Sequence, residues 1–242
     1  MILAAGRGER MRPLTDATPK PLLEVRGKPL MRWTMEALAR GGFTQQVVNT
    51  AWLGEQIEQR FGAQPAWRGP ASQSLSPSIR YSHEGRDFGG ALETAGGIVR
   101  ALPLLDDVFW VAAGDVFVPQ FDFTQAAAAR FAASGRLAHL WLVPNPPHNP
   151  RGDFGLSADG LALDEASERW TFSTIGLYRA ALFALPYCAL APGNPQGARL
   201  ALAPLLRVAM RKGLVSAERY PGLWTDVGTP ERLALLNRPA TD

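Results

Sequence analysis

Met1-Ile2-Leu3-Ala4-Ala5-Gly6-Arg7-Gly8-Glu9-Arg10-Met11-Arg12-Pro13-Leu14-Thr15 is the stretch that decides how this chain is read. Ile2-Leu3-Ala4 is apolar and short, as a buried strand at the start of a sheet is, and it runs straight into two glycines spaced by one residue. Glycine allows left-handed backbone and leaves amide N–H groups open to a close anion. Arg7, Arg10, Arg12 and, slightly later, Lys20 surround that turn with cations, Arg offering forked contacts and Lys a compact charge. Two familiar phosphate patterns are excluded. A dinucleotide fingerprint needs glycine where Met11 stands, and the Gly-Lys-Ser/Thr of a P-loop is absent.

Outward from this loop, strand and helix patterns alternate. Pro29 to Arg40 carries Leu30, Trp33, Thr34, Ala37 and Leu38 at helical spacing, with Gly41-Gly42 to end it. Gln46–Asn49 reads as a strand, and Leu53, Ile57 and Phe61 mark one face of a helix. Residues 63–78 are rich in Pro, Ser and Gly without period and read as a mobile surface insertion. Residues 79–82 form a strand and 94–102 a helix. Val108-Phe109-Trp110-Val111-Ala112-Ala113 is continuously apolar, the pattern of a central parallel strand covered on both faces. A helix at 124–133 and a strand at 137–143 follow. Beyond Pro144 come a Pro/Asn/Gly loop, a hairpin around Asp159-Gly160, a strand at 170–178, a helix at 200–212, a strand at 215–220 and a last helix capped by Thr229-Pro230. The expected fold class is α/β: a single Rossmann-like domain over 1–242, with a mixed, mostly parallel sheet and helices on both faces. It divides at Pro144 into a first half, 1–144, and a second, 145–242.

Composition narrows the partners. The chain has 242 residues, 25 basic and 22 acidic side chains, and a net charge of +3. Its 22 Arg are dispersed and no run of five basic residues occurs, so nucleic acid is not an expected partner. Cys188 is the sole cysteine, which fits a reducing compartment. No segment reaches the ~18 apolar residues of a membrane span, and Met1–Ala5 has no basic leader. The expected location is the cytoplasm. Of the three His, His139 lies in an apolar strand and is expected to be a satisfied core residue, while His83 and His148 are isolated. The Trp residues fall in elements and are expected to pack.

Residues 3–15 followed by Thr18-Pro19-Lys20-Pro21-Leu22 resemble the signature of the sugar-1-phosphate nucleotidyltransferases. Gly114-Asp115 after a buried strand and Trp224-Thr225-Asp226-Val227-Gly228-Thr229 fall in the order that this family shows. The resemblance implies a GT-A-like nucleotidyltransferase fold and transfer of a nucleoside monophosphate from an NTP to a sugar 1-phosphate, with release of pyrophosphate. It also implies the roles of residues. Ala4, Ala5, Gly6, Gly8, Glu9, Gly85 and Glu93 match nucleotide contacts. Arg10 matches the cation at the departing pyrophosphate, and Lys20 the cation at the α-phosphate and the sugar phosphate. Asp115 and Asp226 match the carboxylates that hold Mg²⁺. Taken singly, Asp115 would serve as a helix cap, Asp226 as a turn residue and Lys20 as a solvated charge; together with the loop they read as one site.

Within the family, Val48–Ile57, Leu92–Gly97 and Arg151-Gly152-Asp153-Phe154 are most similar to the branch that joins UTP to N-acetylmuramate 1-phosphate in peptidoglycan recycling. By that match Asp153 and Glu165 meet the sugar. Ala113, where that branch has Asn, and the longer stretches 63–78 and 86–91 depart from its pattern. The alternatives are a guanylyltransferase acting on mannose 1-phosphate and a non-catalytic relative that binds a nucleotide sugar.

Overall fold

The structure, a computed structural model, describes residues 1–68 and 73–238. The chain forms two compact units that interleave in sequence. One holds residues 2–91, 113–123 and those from 223 onward; the other holds Met1, 92–112 and 124–222.

In the first unit the strands Ile2–Ala4, Gln45–Thr50 and Ser78–His83 pair in parallel, with Leu3 opposite Asn49 and Asn49 opposite Ser82. Gln45–Thr50 is buried at every position after its first, as the middle strand of a covered parallel sheet should be. Helix Leu30–Arg40 follows Pro29 and buries Met31, Met35 and Leu38. It ends at Gly41, where only glycine fits, because a Cβ there would stand 1.7 Å from the Phe123 carbonyl oxygen. Helix Gly54–Phe61 buries Ile57 and Phe61, while Leu53 precedes it with a left-handed φ of 49°. Met11, Val25, Leu30, Phe117 and Val227 make an apolar cluster, and Trp33 packs edge-on to Phe117 at 5.1 Å. Because Met11 belongs to this cluster, the turn Glu9–Met11 that ends the glycine loop is anchored from below by apolar burial.

The insertion departs from its expected irregularity. Trp67–Arg68 pairs antiparallel with Ser74–Leu75. Leu75 is buried and Trp67 lies edge-on to Phe61 at 6.0 Å, so two apolar anchors give the stretch a ladder. Residues 69–72 of the expected mobile insertion lie outside the described residues.

In the second unit, Thr171–Arg179 pairs antiparallel with both Ala138–Val143 and Val108–Ala113, and Ala138–Val143 pairs parallel with Val215–Arg219. The run 108–113 is buried as expected; its ladder with Thr171–Arg179 is antiparallel, while on its other edge Met1 N donates to Trp110 O at 2.6 Å and Ala112 N to Met1 O at 3.1 Å, the parallel pattern expected. An apolar run records burial, not the direction of the partner strand. Across both units, three of these five ladders are parallel and two antiparallel, the mixed, mostly parallel α/β architecture expected. Helix Glu93–Ala101 stands at the expected place. So does helix Gln125–Ala133, where Thr124 Oγ1 accepts from Ala127 N at 3.1 Å. Helix Leu202–Arg211 buries Leu205, Leu206, Ala209 and Met210. Gly155–Leu156 and Ala162–Leu163 form the expected hairpin. His139 is satisfied, with Nδ1 2.9 Å from Ser216 Oγ and its ring edge-on to Trp141. Among the described residues no helix is long and apolar enough to cross a membrane.

Candidate active site

The glycine loop leaves strand Ile2–Ala4 and folds over Lys20. Gly8 has φ 69°, and a Cβ on it would press to 3.1 Å from Thr15 and 3.3 Å from Lys20, so glycine is needed for both the turn and the approach. Thr15 Oγ1 donates to the Gly8 carbonyl at 2.9 Å and closes the loop. The cleft so formed, of about 260 Å³, is lined by Ala4, Gly6, Gly8, Arg10, Lys20 and Asp115, with Glu9 and Gly228 at its rim. Ala5, the remaining loop residue, is buried beside them.

The four basic residues of this segment divide into two pairs. Arg7 stacks over the Trp52 ring at 3.7 Å and donates to Thr15 O at 2.8 Å and to Asp16 at 2.7 Å. Arg12 also reaches Asp16, at 2.9 Å. The hydrogen bond from Arg7, with Arg12 beside it, holds the Asp16 carboxyl below the ordinary carboxylate value. The two arginines thus brace the loop. Arg10 is exposed on the cleft, with no side-chain partner among the described residues, and Lys20 is 8% exposed with Nζ 2.5 Å from Asp115 Oδ2. Of the four cations around the loop, Arg7 and Arg12 are engaged by Asp16, and Arg10 and Lys20 line the cleft.

Asp226 reaches Asp115 through a ladder of two-residue strands: Thr225–Asp226 lies antiparallel to Val116–Phe117, and Val227 N donates to Asp115 O at 3.0 Å. Two carboxylates remote in sequence therefore leave adjacent strands. Arg232 pairs with the Asp226 carboxylate and donates to its carbonyl at 3.0 Å. A Cβ on Gly228 would meet both Arg232 and Asp226 near 3 Å, so this glycine lets that pair form. The donor set of two carboxylates beside a phosphate-sized cleft matches the ligand preference of Mg²⁺, which takes one or two carboxylates and completes its shell with phosphate oxygens and water. Among the described residues no three His, Cys, Asp or Glu side chains cluster as a metal cage, so any metal here would depend on substrate oxygens.

Gly85 lines a second cavity of about 620 Å³, together with Thr50 and His83 at the ends of their strands; His83 Nδ1 lies 2.9 Å from Glu58. The other expected contacts belong to the second unit. Glu93 opens its helix in a left-handed conformation, φ 61°, a strained setting for a side chain of this kind. Asp153 Oδ2 accepts from Phe172 N at 2.8 Å and from Asn149 Nδ2 at 3.2 Å. Glu165 is exposed next to Asp164, which is engaged by Arg207 and Arg211. Sequence reasoning missed Asp16, Asn49, Glu84 and Arg232. Asp16 carried a local signal, four residues beyond Arg12 on the chain, and Asn49 a weaker one as a polar residue next to Val47-Val48 in a strand.

A parallel sheet that delivers a glycine loop, a buried lysine and Asp115 to one cleft, with Asp226 on the adjoining strand, is the arrangement of the nucleotidyl transferase class. Residues 1–162 match the nucleotidyl transferase family, and the chain belongs to it. It is 48% identical to the N-acetylmuramate alpha-1-phosphate uridylyltransferase of Neisseria meningitidis serogroup B, over 96% of this chain and 94% of that protein. It is 32% identical to the protein of the same name from Caulobacter vibrioides, over 96% and 92% of the two chains. A crystal structure from Bacillus anthracis, described as a glucose-1-phosphate thymidylyltransferase, shares the fold with a TM-score of 0.77 and 20% identity, over 98% of this chain and 92% of that one. The family transfers nucleotidyl groups from nucleoside triphosphates to sugar 1-phosphates and typically works with a divalent metal.

Proposed function

We propose that this chain transfers the uridylyl group of UTP to N-acetylmuramate 1-phosphate and releases pyrophosphate, in the cytoplasm. The observation that carries the reading is the buried Lys20 held at 2.5 Å to Asp115 on the floor of the glycine-loop cleft, with Asp226 on the adjoining strand. A sugar phosphate is already a competent nucleophile, so the reaction needs no strong base. What it needs is neutralisation and alignment of mutually repelling anions.

In this reading Gly6 and Gly8 leave room for the phosphates, and Ala4, Ala5, Glu9, Gly85 and Glu93 bound the nucleoside. Lys20 faces the α-phosphate, where a compact cation offsets charge in the transition state. Arg10 reaches the departing pyrophosphate, since Arg7 and Arg12 are engaged by Asp16. Asp115 and Asp226 would hold Mg²⁺, which when bound supplies neutralisation to the phosphate oxygens. Asp153 and Glu165 meet the sugar. The choice of UTP and N-acetylmuramate 1-phosphate is supported by two relatives of that name that each align with 96% of this chain.

The test is a pyrophosphate-release matrix with Mg²⁺, setting UTP, GTP, CTP and dTTP against the 1-phosphates of N-acetylmuramate, glucosamine, glucose and mannose. UTP with N-acetylmuramate 1-phosphate should give the highest kcat/KM. A different best pair overturns the substrate assignment, and silence across the matrix overturns the enzymatic one.

A further inference from the structure

We propose that Asn49 and Glu84 form a buried positioning pair that locks the two segments assigned to the nucleotide, the Ala4 end of the glycine loop and the Gly85 turn, into one rigid cradle. The inference rests on the reading of that site as nucleotide-binding. Asn49 sits in the middle of three parallel strands, opposite Leu3 on one side and Ser82 on the other. Its side chain spans both neighbours: Oδ1 accepts from Ala4 N at 2.9 Å, and Nδ2 donates to Glu84 Oε1 at 2.6 Å. Asn49 is 3% exposed and Glu84 fully buried. Ligands of open parallel sheets bind beyond the carboxyl ends of the strands, and this amide ties three such ends together.

The polarity of the pair is fixed. A backbone N–H can only donate, so the Asn49 oxygen must face Ala4 and its NH₂ must face Glu84, which must accept. Glu84 is followed by Gly85, whose missing Cβ would stand 2.5 Å from Ala51 O. The turn is therefore pressed against the chain that leaves the Asn49 strand. A carboxyl buried beside a polyanion site is costly unless it is hydrogen-bonded, and here its acceptor oxygen aligns the loop.

The experiment is titration calorimetry with UTP, together with KM for each substrate, on the full chain. Asn49→Asp keeps the acceptor for Ala4 and sets a second acceptor against Glu84. It should weaken UTP binding and raise the KM for UTP on the order of 10- to 100-fold, the scale of an unmatched buried polar group, with the KM for the sugar phosphate little moved and the Tm lowered by several degrees, since the mismatch is buried in the fold as well. Glu84→Gln preserves an acceptor for Asn49 and should retain UTP affinity. N49D/E84Q reverses the bond, the new amide donating to the new carboxylate, and should recover most of what N49D loses. Asn49→Ser, too short to span the pair, should show the same UTP-specific loss if N49D does not fold.

Unchanged UTP affinity in both N49D and Asn49→Ser overturns the proposal. So does a double variant no better than N49D. Loss of UTP affinity in E84Q alone at unchanged Tm also overturns it, making Glu84 a direct contact. A wild-type chain that binds no nucleoside triphosphate defeats the reading of the site itself, and is seen before any variant is made.

Discussion

Replacing Lys20 by Met separates chemistry from stability, because the two losses have different sizes. Lys20 retains 10% of its side-chain exposure and Asp115 37%. The substitution keeps the apolar stem under Gly8 and removes the charge. Losing one preorganised charge at a developing oxyanion costs about 10²–10³ in kcat, roughly 3–4 kcal/mol. The fold loses far less. Exposed ion pairs contribute about 0–1 kcal/mol and buried ones left half-paired cost about 3–5 kcal/mol; with more than a third of its surface in water, Asp115 can be rehydrated and lies near the lower figure. About 1 kcal/mol lowers the Tm of a chain this size by roughly 2–4 °C. Pyrophosphate release at saturating substrate and thermal unfolding, run on the same preparation, give both numbers. Turnover within tenfold of wild type would refute the assigned role. A collapse in Tm would show that Lys20 is chiefly structural, and the kinetic loss would then say nothing about the phosphate.

Gly85→Ala places a Cβ 2.5 Å from Ala51 O and 2.7 Å from Ala51 Cα, backbone atoms that cannot rotate away, so it should cost about 1–3 kcal/mol. Gly6→Ala, with nothing within 4 Å of its Cβ, should leave thermal unfolding unchanged. Burial, and then the nearby Glu58, push the Tyr81 phenol up to about 12. Because the folded value is raised, the stability it brings is full below pH 10 and lost as pH climbs through 12; an alkaline absorbance titration should show that late phase, and Tyr81→Phe should remove it. For Asp164, burial raises the carboxyl but Arg207 and Arg211 outweigh it and hold the group below 3.8. Its stabilising effect is present above 3.8 and lost as pH falls through the folded value. Asp164→Asn should thus lower the urea midpoint at neutral pH and match wild type in strong acid.

What the sequence disclosed and what it withheld divide along a physical line. The glycine loop and the helix Pro230–Leu236 capped by Thr229 were legible because each depends on neighbours within a few residues. The antiparallel partner on one edge of Val108–Ala113 was not, since Thr171–Arg179 lies far along the chain. The approach of Asp226 to Asp115 is similar: two-residue strands carry almost no pattern, so only the family resemblance put these aspartates in one site. Nor could spacing alone tell Arg10 from Arg7 and Arg12. That distinction is made by Asp16 and Trp52, which take two of the three guanidinium groups away from the cleft.

Polar residues in buried strands show why the remaining step requires a structure. Gln46 and Asn49 lie in one strand, 2% and 3% exposed, and either would stand out in the sequence as a polar side chain in an apolar context. Gln46 donates to Met35 O at 2.9 Å and to Phe43 O at 3.2 Å, tying a helix and its exit loop to the sheet. Asn49 is bonded instead to the loop that borders the cleft and to the turn whose Gly85 lines the second cavity. Composition and burial are alike in the two, and only the identity of the partner separates a strut of the fold from a strut of the site. The double variant N49D/E84Q is informative for that reason: it keeps the burial and restores the bond in reverse, so recovery of UTP affinity would trace to the bond itself.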